Sequence, residues 1–372
     1  MNTIRFFWKH QPVLCIAAVL TIISMFIVPP SLSYIDYINA NTLILLFALM
    51  GAVAGFRMCG IFKKLANALT KKCNSSRKLA FFMMTICFIL SMFITNDVAL
   101  LTFVPITMLI YIDSTEKSSN LALIWTVILE TVAANLGSML LPTGNPQNIY
   151  ICSIYAMTPS ELIKTLFPYG ILAYAILCCS LFLLPDCKIL SKEQKAISDK
   201  FSWRICICCS VIFILSLLTV AGIFPPLLCF CMSILFIAIS SPKIFIKIDY
   251  MLLATFVCFF IFTGNLGSIG QIQQFISQIM TGRELPISIL CSQVFSNVPA
   301  AILLSEFTNK ADLLLKGVNL GGLGTPIASM ASLISFQIYS GEKHELSIKY
   351  MGRFLVYNFA FLAILFIVTY FI

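Results

Sequence analysis

Two short polar runs interrupt long apolar stretches of this chain, and the groups they carry are those that hold ions. The first lies in residues 94–107, ITNDVALLTFVPIT, where Thr95, Asn96 and Asp97 follow a stretch that is uncharged after Lys78. The second is Ser296-Asn297-Val298-Pro299. Hydroxyl and amide oxygens beside unwound backbone carbonyls suit a hard cation such as sodium. Free helix N-termini, each equivalent to about half a positive charge, hold an anion without any lysine or arginine. Two Gly/Pro-rich runs offer more of the same: Thr143-Gly144-Asn145-Pro146, and Gly324-Thr325-Pro326 leading to Ser329.

Such groups need elements that keep them from bulk water, and the composition says what those elements are. With 60% hydrophobic and 10% charged residues and a mean hydropathy of +0.98, the chain cannot clothe a soluble globule in polar surface. It reads as an all-α polytopic membrane protein. A spanning helix needs about 20 mostly apolar residues. Stretches of that kind recur at 12–30, 40–56, 120–157, 165–185, 204–222, 223–241, 249–268, 311–340 and 352–372, which makes nine passes. Two further apolar stretches, 79–112 and 286–309, are broken near the middle by the polar runs and read as re-entrant hairpins. The passes 120–157 and 311–340 are themselves broken by the Gly/Pro-rich runs.

The positive-inside rule gives the expected orientation. With the N-terminus cytoplasmic and the C-terminus outside, only Lys164, Arg283, Lys310 and Lys316 of the 24 basic residues fall on the outer side. The net charge of +9 then belongs to cytoplasmic loops, which argues against a nucleic-acid footprint. Residues 12–30 run too long for a cleavable signal and lack an A-x-A-like exit, so the first helix is expected to stay. The fifteen cysteines scatter through apolar stretches, and His10 and His344 lie in cytoplasmic segments. No spacing suits zinc, so the cysteines read as small apolar fillers and no transition-metal site is expected.

Within the apolar segments the acids are few. A carboxylate at membrane depth costs about 2.5–3.5 kcal/mol on insertion scales and marks function by default. Asp97 is read as a ligand of a coupling cation or a proton exchanger, against the alternative of a helix cap. Glu130, five residues before Asn135, either faces the site or bonds a neighbouring helix. Glu306 is expected to be solvated.

The chain also repeats itself. LFALMGAVAGFRMCGIFKKLANAL (46–69) resembles FFIFTGNLGSIGQIQQFISQIM (259–280), each an apolar helix followed by an amphipathic segment, near 60–72 and 270–281, read as an interfacial arm. NLGSMLLPTGN (135–145) aligns with NLGGLGTPIAS (319–329). The expected organisation is a first repeat over 1–186, a cytoplasmic linker and connecting helix over 187–222, and a second repeat over 223–372. An odd number of crossings separates the halves, so they must be inverted. Two hairpin tips and two broken helices meeting near the midplane point to a binding site, because non-helical backbone is tolerated at that depth only where protein buries it or a wet cavity needs it.

On TNDVALLTFVP (95–105), NLGSMLLPTGNPQNIYI (135–151), SNVPAA (296–301) and NLGGLGTPIASMAS (319–332), the chain resembles the ion transporter superfamily. That group includes divalent-anion:sodium symporters, citrate carriers, arsenite efflux pumps and a class of sodium/proton antiporters. The resemblance implies an elevator-type transporter, with a homodimer as its assembly. By position it implies substrate binding by Thr95, Asn96, Thr143, Gly144, Asn145, Ser296, Asn297, Thr325 and Pro326. It implies coupling-ion binding by Asp97, Asn96, Gly144, Asn297, Gly324 and Ser329. The third tip residue departs from the symporters' Thr: it is Asp97 in one half and Val298 in the other.

The expected function is secondary transport of a small anion, a carboxylate or inorganic oxyanion, coupled to sodium or protons across the plasma membrane, a bacterial inner membrane. A sodium/proton antiporter or arsenite-type efflux permease on the same scaffold is the alternative. A membrane enzyme is poorly supported: it would want a nucleophile and a base within hydrogen-bond reach, yet no His stands at depth and no metal-ligand cluster appears. No cofactor is expected beyond the coupling ion, and no partner beyond the anion, the lipid bilayer and a second copy.

Overall fold

The structure, a computed structural model, describes residues 12–61, 73–111, 117–188 and 201–371. Among them the chain is helical, with one isolated bridge, Ser75 to Lys188, in place of any strand. The helices are α1 (Pro12–Ile27), α2 (Ser33–Tyr37), α3 (Ala40–Met58), α4 (Ser76–Ile94), α5 (Asn96–Tyr111), α6 (Lys117–Ser138), α7 (Pro146–Ile154), α8 (Pro159–Ser180) and α9 (Trp203–Val220). There follow α10 (Pro226–Ser240), α11 (Tyr250–Ser268), α12 (Gly270–Met280), α13 (Glu284–Phe295), α14 (Asn297–Ser305), α15 (Ala311–Leu320), α16 (Met330–Glu342) and α17 (Ser347–Val368).

Several starts are explained by capping. The side chains of Asn39, Ser75 and Asp249 accept from the backbone N–H three residues on, at the heads of α3, α4 and α11. Thr158 and Glu161 make a reciprocal capping box before α8, with Pro159 as its first residue, which satisfies donors that a helix start otherwise leaves unpaired.

Among the described residues, seven helices are long and apolar enough to cross a membrane. Six of them fall on the expected passes: α3, α6, α8, α9, α11 and α17, while the seventh is α4. The expected passes at 12–30 and 223–241 are the shorter α1 and α10, of 16 and 15 residues. The pass at 311–340 is two half-helices, α15 and α16, of 10 and 13 residues.

Although α4 is long enough to cross alone, it belongs to a hairpin whose two ends return to one place. At its start, Ser76 Oγ donates to Pro185 O (2.8 Å) and Arg77 donates to Leu184 O (3.0 Å). At the far end of α5, Tyr111 lies within electrostatic range of Asp186 and Cys187. The second hairpin, α13 and α14, closes likewise: Glu284 at its start meets Lys310, just past its end, at 3.7 Å.

Apart from the short α2 and the amphipathic α12, the described elements run in the same order before and after α9: two helices, a hairpin, a broken helix and a final long helix. The two sets interlock. α1 packs on α11, where Thr21 Oγ1 donates to Cys258 O (2.7 Å). α10 packs on α3, within a small separate core of Phe47, Ala52, Cys209, Ile212, Cys229 and Ile237. α16 packs on α5 and α7 on α14, so the second half of each broken helix lies against the other set's hairpin. The main core surrounds those hairpins and broken helices. The amphipathic segment expected near 60–72 lies, from residue 62 onward, outside the described residues. Its counterpart is α12, with Phe275 and Ile279 exposed.

Candidate functional site

The two hairpin tips have the same backbone. Thr95 sits at φ 68°, ψ 150° and Ser296 at φ 73°, ψ 156°. A non-glycine residue at positive φ is uncommon and costs on the order of 1–3 kcal/mol, a strain that the surrounding structure must impose. Each tip carbonyl accepts the first bond of the arm that follows, from Ala99 N (3.1 Å) and from Ala300 N (3.0 Å). Helix N-termini therefore begin at Asn96 and Asn297.

The broken helices match as well. Proline opens a short 3-10 turn in each, Pro142–Gly144 and Pro326–Ala328. An extended residue follows, Asn145 (φ −144°, ψ 143°) or Ser329 (φ −140°, ψ 132°), and then a new helix. Backbone closeness decides Gly144: a Cβ there would stand 2.0 Å from Ser138 O. Gly324, at φ +106°, takes a conformation that side chains disfavour.

Each loop is tied to its own hairpin. Thr143 Oγ1 donates to Met92 O (3.1 Å) and Thr325 Oγ1 to Gln293 O (3.2 Å), in both cases the carbonyl three residues before the strained tip. Gln293 adds a clamp: its amide donates to Gly321 O and Leu323 O, both at 2.8 Å, and accepts from Thr325 N at 2.9 Å. The hydroxyls of Thr143 and Thr325, expected at the substrate, thus donate to the scaffold of the site. Pro326 is half-buried and opens its turn.

At the centre stands Asn135, 4% exposed. Its Oδ1 accepts from Asn96 Nδ2 and from Ser329 Oγ, both at 2.9 Å, and its Nδ2 donates to Ser332 Oγ at 3.0 Å. The matching residue of the second NLG run, Asn319, donates to Asn148 Oδ1 at 2.8 Å and accepts from Gln147 Nε2 at 3.4 Å. Ser296 Oγ lies 3.4 Å from both Asn297 Oδ1 and Ala328 O. These groups meet at Gly322, where a Cβ would lie 3.2 Å from Asn297 Nδ2, 3.3 Å from Asn319 O and 4.0 Å from Ser329 Cβ, so the expected residues Asn96, Ser296, Asn297 and Ser329 share one buried polar cluster. Asn135, Asn148, Asn319 and Ser332 belong to it too, the half-buried Gln293 holds its loop, and site prediction from sequence missed all five. For Asn135 and Asn319 the signal was the repeated Asn-Leu-Gly, which aligned the halves without marking its Asn as a contact; Asn148, Ser332 and Gln293 carried none.

Asn145 Nδ2 donates to Ser138 Oγ at 2.7 Å, while its Oδ1, like Gln147 Oε1, is buried without a donor. Buried acceptors left without donors are rare in folded proteins, and oxygens of this kind are what a hard cation takes as ligands. Among the described residues no Lys or Arg makes an ion pair or side-chain hydrogen bond within the cluster. The charge available to an anion there comes from helix N-termini and amide N–H groups.

The acids are placed differently. Asp97 is partly exposed beside the first tip, and among the described residues its carboxylate accepts no hydrogen bond. That carboxylate therefore caps no backbone N–H among the described residues, while the Asp97 N–H itself donates to Asn96 Oδ1 (2.9 Å). Asp249 lies within its electrostatic range. Glu130 is fully buried and accepts the hydroxyl of Thr107 on α5, so of its two sequence readings the neighbouring-helix bond is the one present. Glu306 is exposed. Glu284, which sequence reading passed over, is 4% exposed at the base of the second hairpin.

Residues 6–312 match the citrate transporter family. An uncharacterized transporter of Methanocaldococcus jannaschii is 31% identical over 85% of this chain and 84% of its own length. The inner membrane protein YbiR of Escherichia coli K12 is 28% identical over 82% of each chain. A Dictyostelium discoideum protein named as a candidate transporter, arsB, is 34% identical over 31% of this chain and 20% of its own.

Proposed function

Because this chain belongs to the citrate transporter family, we propose that it is a secondary transporter of a small anion, a carboxylate or inorganic oxyanion, driven by sodium or protons. The observation that carries this reading is the Asn135 bridge, which draws the Asn96 tip and the Ser329 and Ser332 side chains together in a cluster where, among the described residues, no Lys or Arg makes a bond. In this reading the substrate's negative charge meets the N-termini of α5 and α14, and the donorless oxygens of Asn145 and Gln147 await the cation. Two inverted repeats rock one part of the molecule against the other, and access to the cluster alternates.

Asp97 favours a second reading. An acid at the tip with no hydrogen-bond partner among the described residues suits cation or proton exchange, and so an antiporter or an efflux permease.

Charge movement on a solid-supported membrane separates the two. The purified protein in liposomes is challenged with di- and tricarboxylates, sulfate and arsenite, with and without sodium, at two pH values. A current evoked by one anion and dependent on sodium or pH supports the first reading. Silence to every anion, with a signal from sodium alone across a pH gradient, moves the assignment to the antiporter.

A further inference from the structure

We propose that Glu130 is the residue that binds the coupling proton, an inference that rests on the secondary-transport reading above. Its side chain is fully buried on α6. Oε1 accepts from Thr107 Oγ1 on the second arm of the first hairpin, and Oε2 is buried with no donor. Among the described residues, the titratable groups within its electrostatic range are Cys87 on α4, Tyr111 on α5 and Tyr350 on α17. These are a thiol and two phenols, uncharged near neutral pH. Five cations on neighbouring helices have other partners: Lys78 of α4 lies within electrostatic range of Cys73 and Lys164 of α8 within that of Glu161. Lys316 of α15 lies 5.7 Å over the Tyr169 ring, Arg353 of α17 reaches Lys349 O, and Arg77 of α4 bonds Leu184 O.

A carboxylate buried without a counter-charge, and with one donor for several lone pairs, is held as an ion only at great cost; it takes up a proton instead. One hydroxyl is too few oxygens to make the same place a metal site. The geometry also couples the proton to shape. Thr107 is on the hairpin and Glu130 on the broken helix, five residues before the Asn135 bridge. If α5 parts from α6, water reaches the carboxyl. The O–H bond then breaks, the carboxylate remains and the proton passes to that water; closure reverses the step. No other reactant is needed.

Infrared spectra of the protein in liposomes at neutral pH test the protonation. The wild type minus Glu130→Gln difference is expected to contain a protonated-carboxyl stretch that shifts in heavy water, and Thr107→Val is expected to move that band without removing it. A pH-sensitive dye inside the same liposomes is expected to record proton uptake with the anion, reduced at least tenfold in Glu130→Gln. Absence of the band overturns the proposal. So does unchanged proton uptake in Glu130→Gln, or a wild type that carries its anion on sodium with no proton uptake. A wild type that carries no anion sinks the transport reading separately, and the band still decides whether Glu130 holds a proton. Should Glu130→Gln fail to fold, the Thr107→Val shift reads the same band.

Discussion

Asn135 gathers three hydrogen bonds from two halves of the chain on one amide, and each of its partners is buried. Replacing it with the similarly sized Leu strands Asn96, Ser329 and Ser332 together. At about 1–3 kcal/mol per buried polar group left without a partner, Asn135→Leu should destabilise the protein by about 3 kcal/mol or more, seen as a lower melting temperature in detergent, and should abolish transport. Asp97→Asn makes the opposite test. The carboxylate accepts nothing among the described residues, so stability should stay near wild type while ion-coupled transport is lost. Full ion-coupled transport at normal expression would remove Asp97 from the coupling mechanism. At this scale the sequence was only partly legible. A polar residue in an apolar run is visible, but which neighbour it meets depends on helix rotation. Asp97 shows this: its position left a helix cap open as the alternative to an ion ligand, and only the structure shows its own N–H held by Asn96 Oδ1.

Breaks in helices were easier to read than contacts, because Pro and Gly act on the backbone of their own segment. Pro142, Pro146 and Pro326 placed both interruptions correctly. Hairpin ends were read less well: α4 begins at Ser76 and α13 at Glu284, where apolar pattern alone suggested 79 and 286. Ser75 as cap and the long-range bonds of Ser76 set the first of these starts. Gly144→Ala should therefore fail at the level of the element. Its Cβ would overlap Ser138 backbone at 2.0 Å, so sharply reduced folded yield is expected in size-exclusion chromatography of the detergent-purified protein. Gly341→Ala meets nothing within 4 Å and should purify as wild type.

For the whole molecule, a cation bound only by the assembled cluster must stabilise the assembly. Linkage gives about 2.7 kcal/mol at a hundredfold excess over Kd. Sodium chloride, compared with choline chloride at equal ionic strength, should thus raise the melting temperature of the wild type. Asn145→Ala, which removes a donorless oxygen, should flatten that rise. An equal response in both salts would leave the sodium reading without support.

The Asn135 bridge also sets a waiting time. Its partner Ser332 lies 197 residues further along the chain, and Asn319 and Asn148 are 171 apart. At a synthesis rate of about 5–20 residues per second, Asn135 leaves the ribosome roughly 10–40 s before the hydroxyl it will bond. During that interval the first half must sit in the bilayer with its central amide paired to Asn96 alone. The insertion machinery or a chaperone is expected to shield it, and a chain truncated after α9 should be a substrate for membrane proteolysis, its half-life in a pulse-chase far shorter than that of the full-length protein.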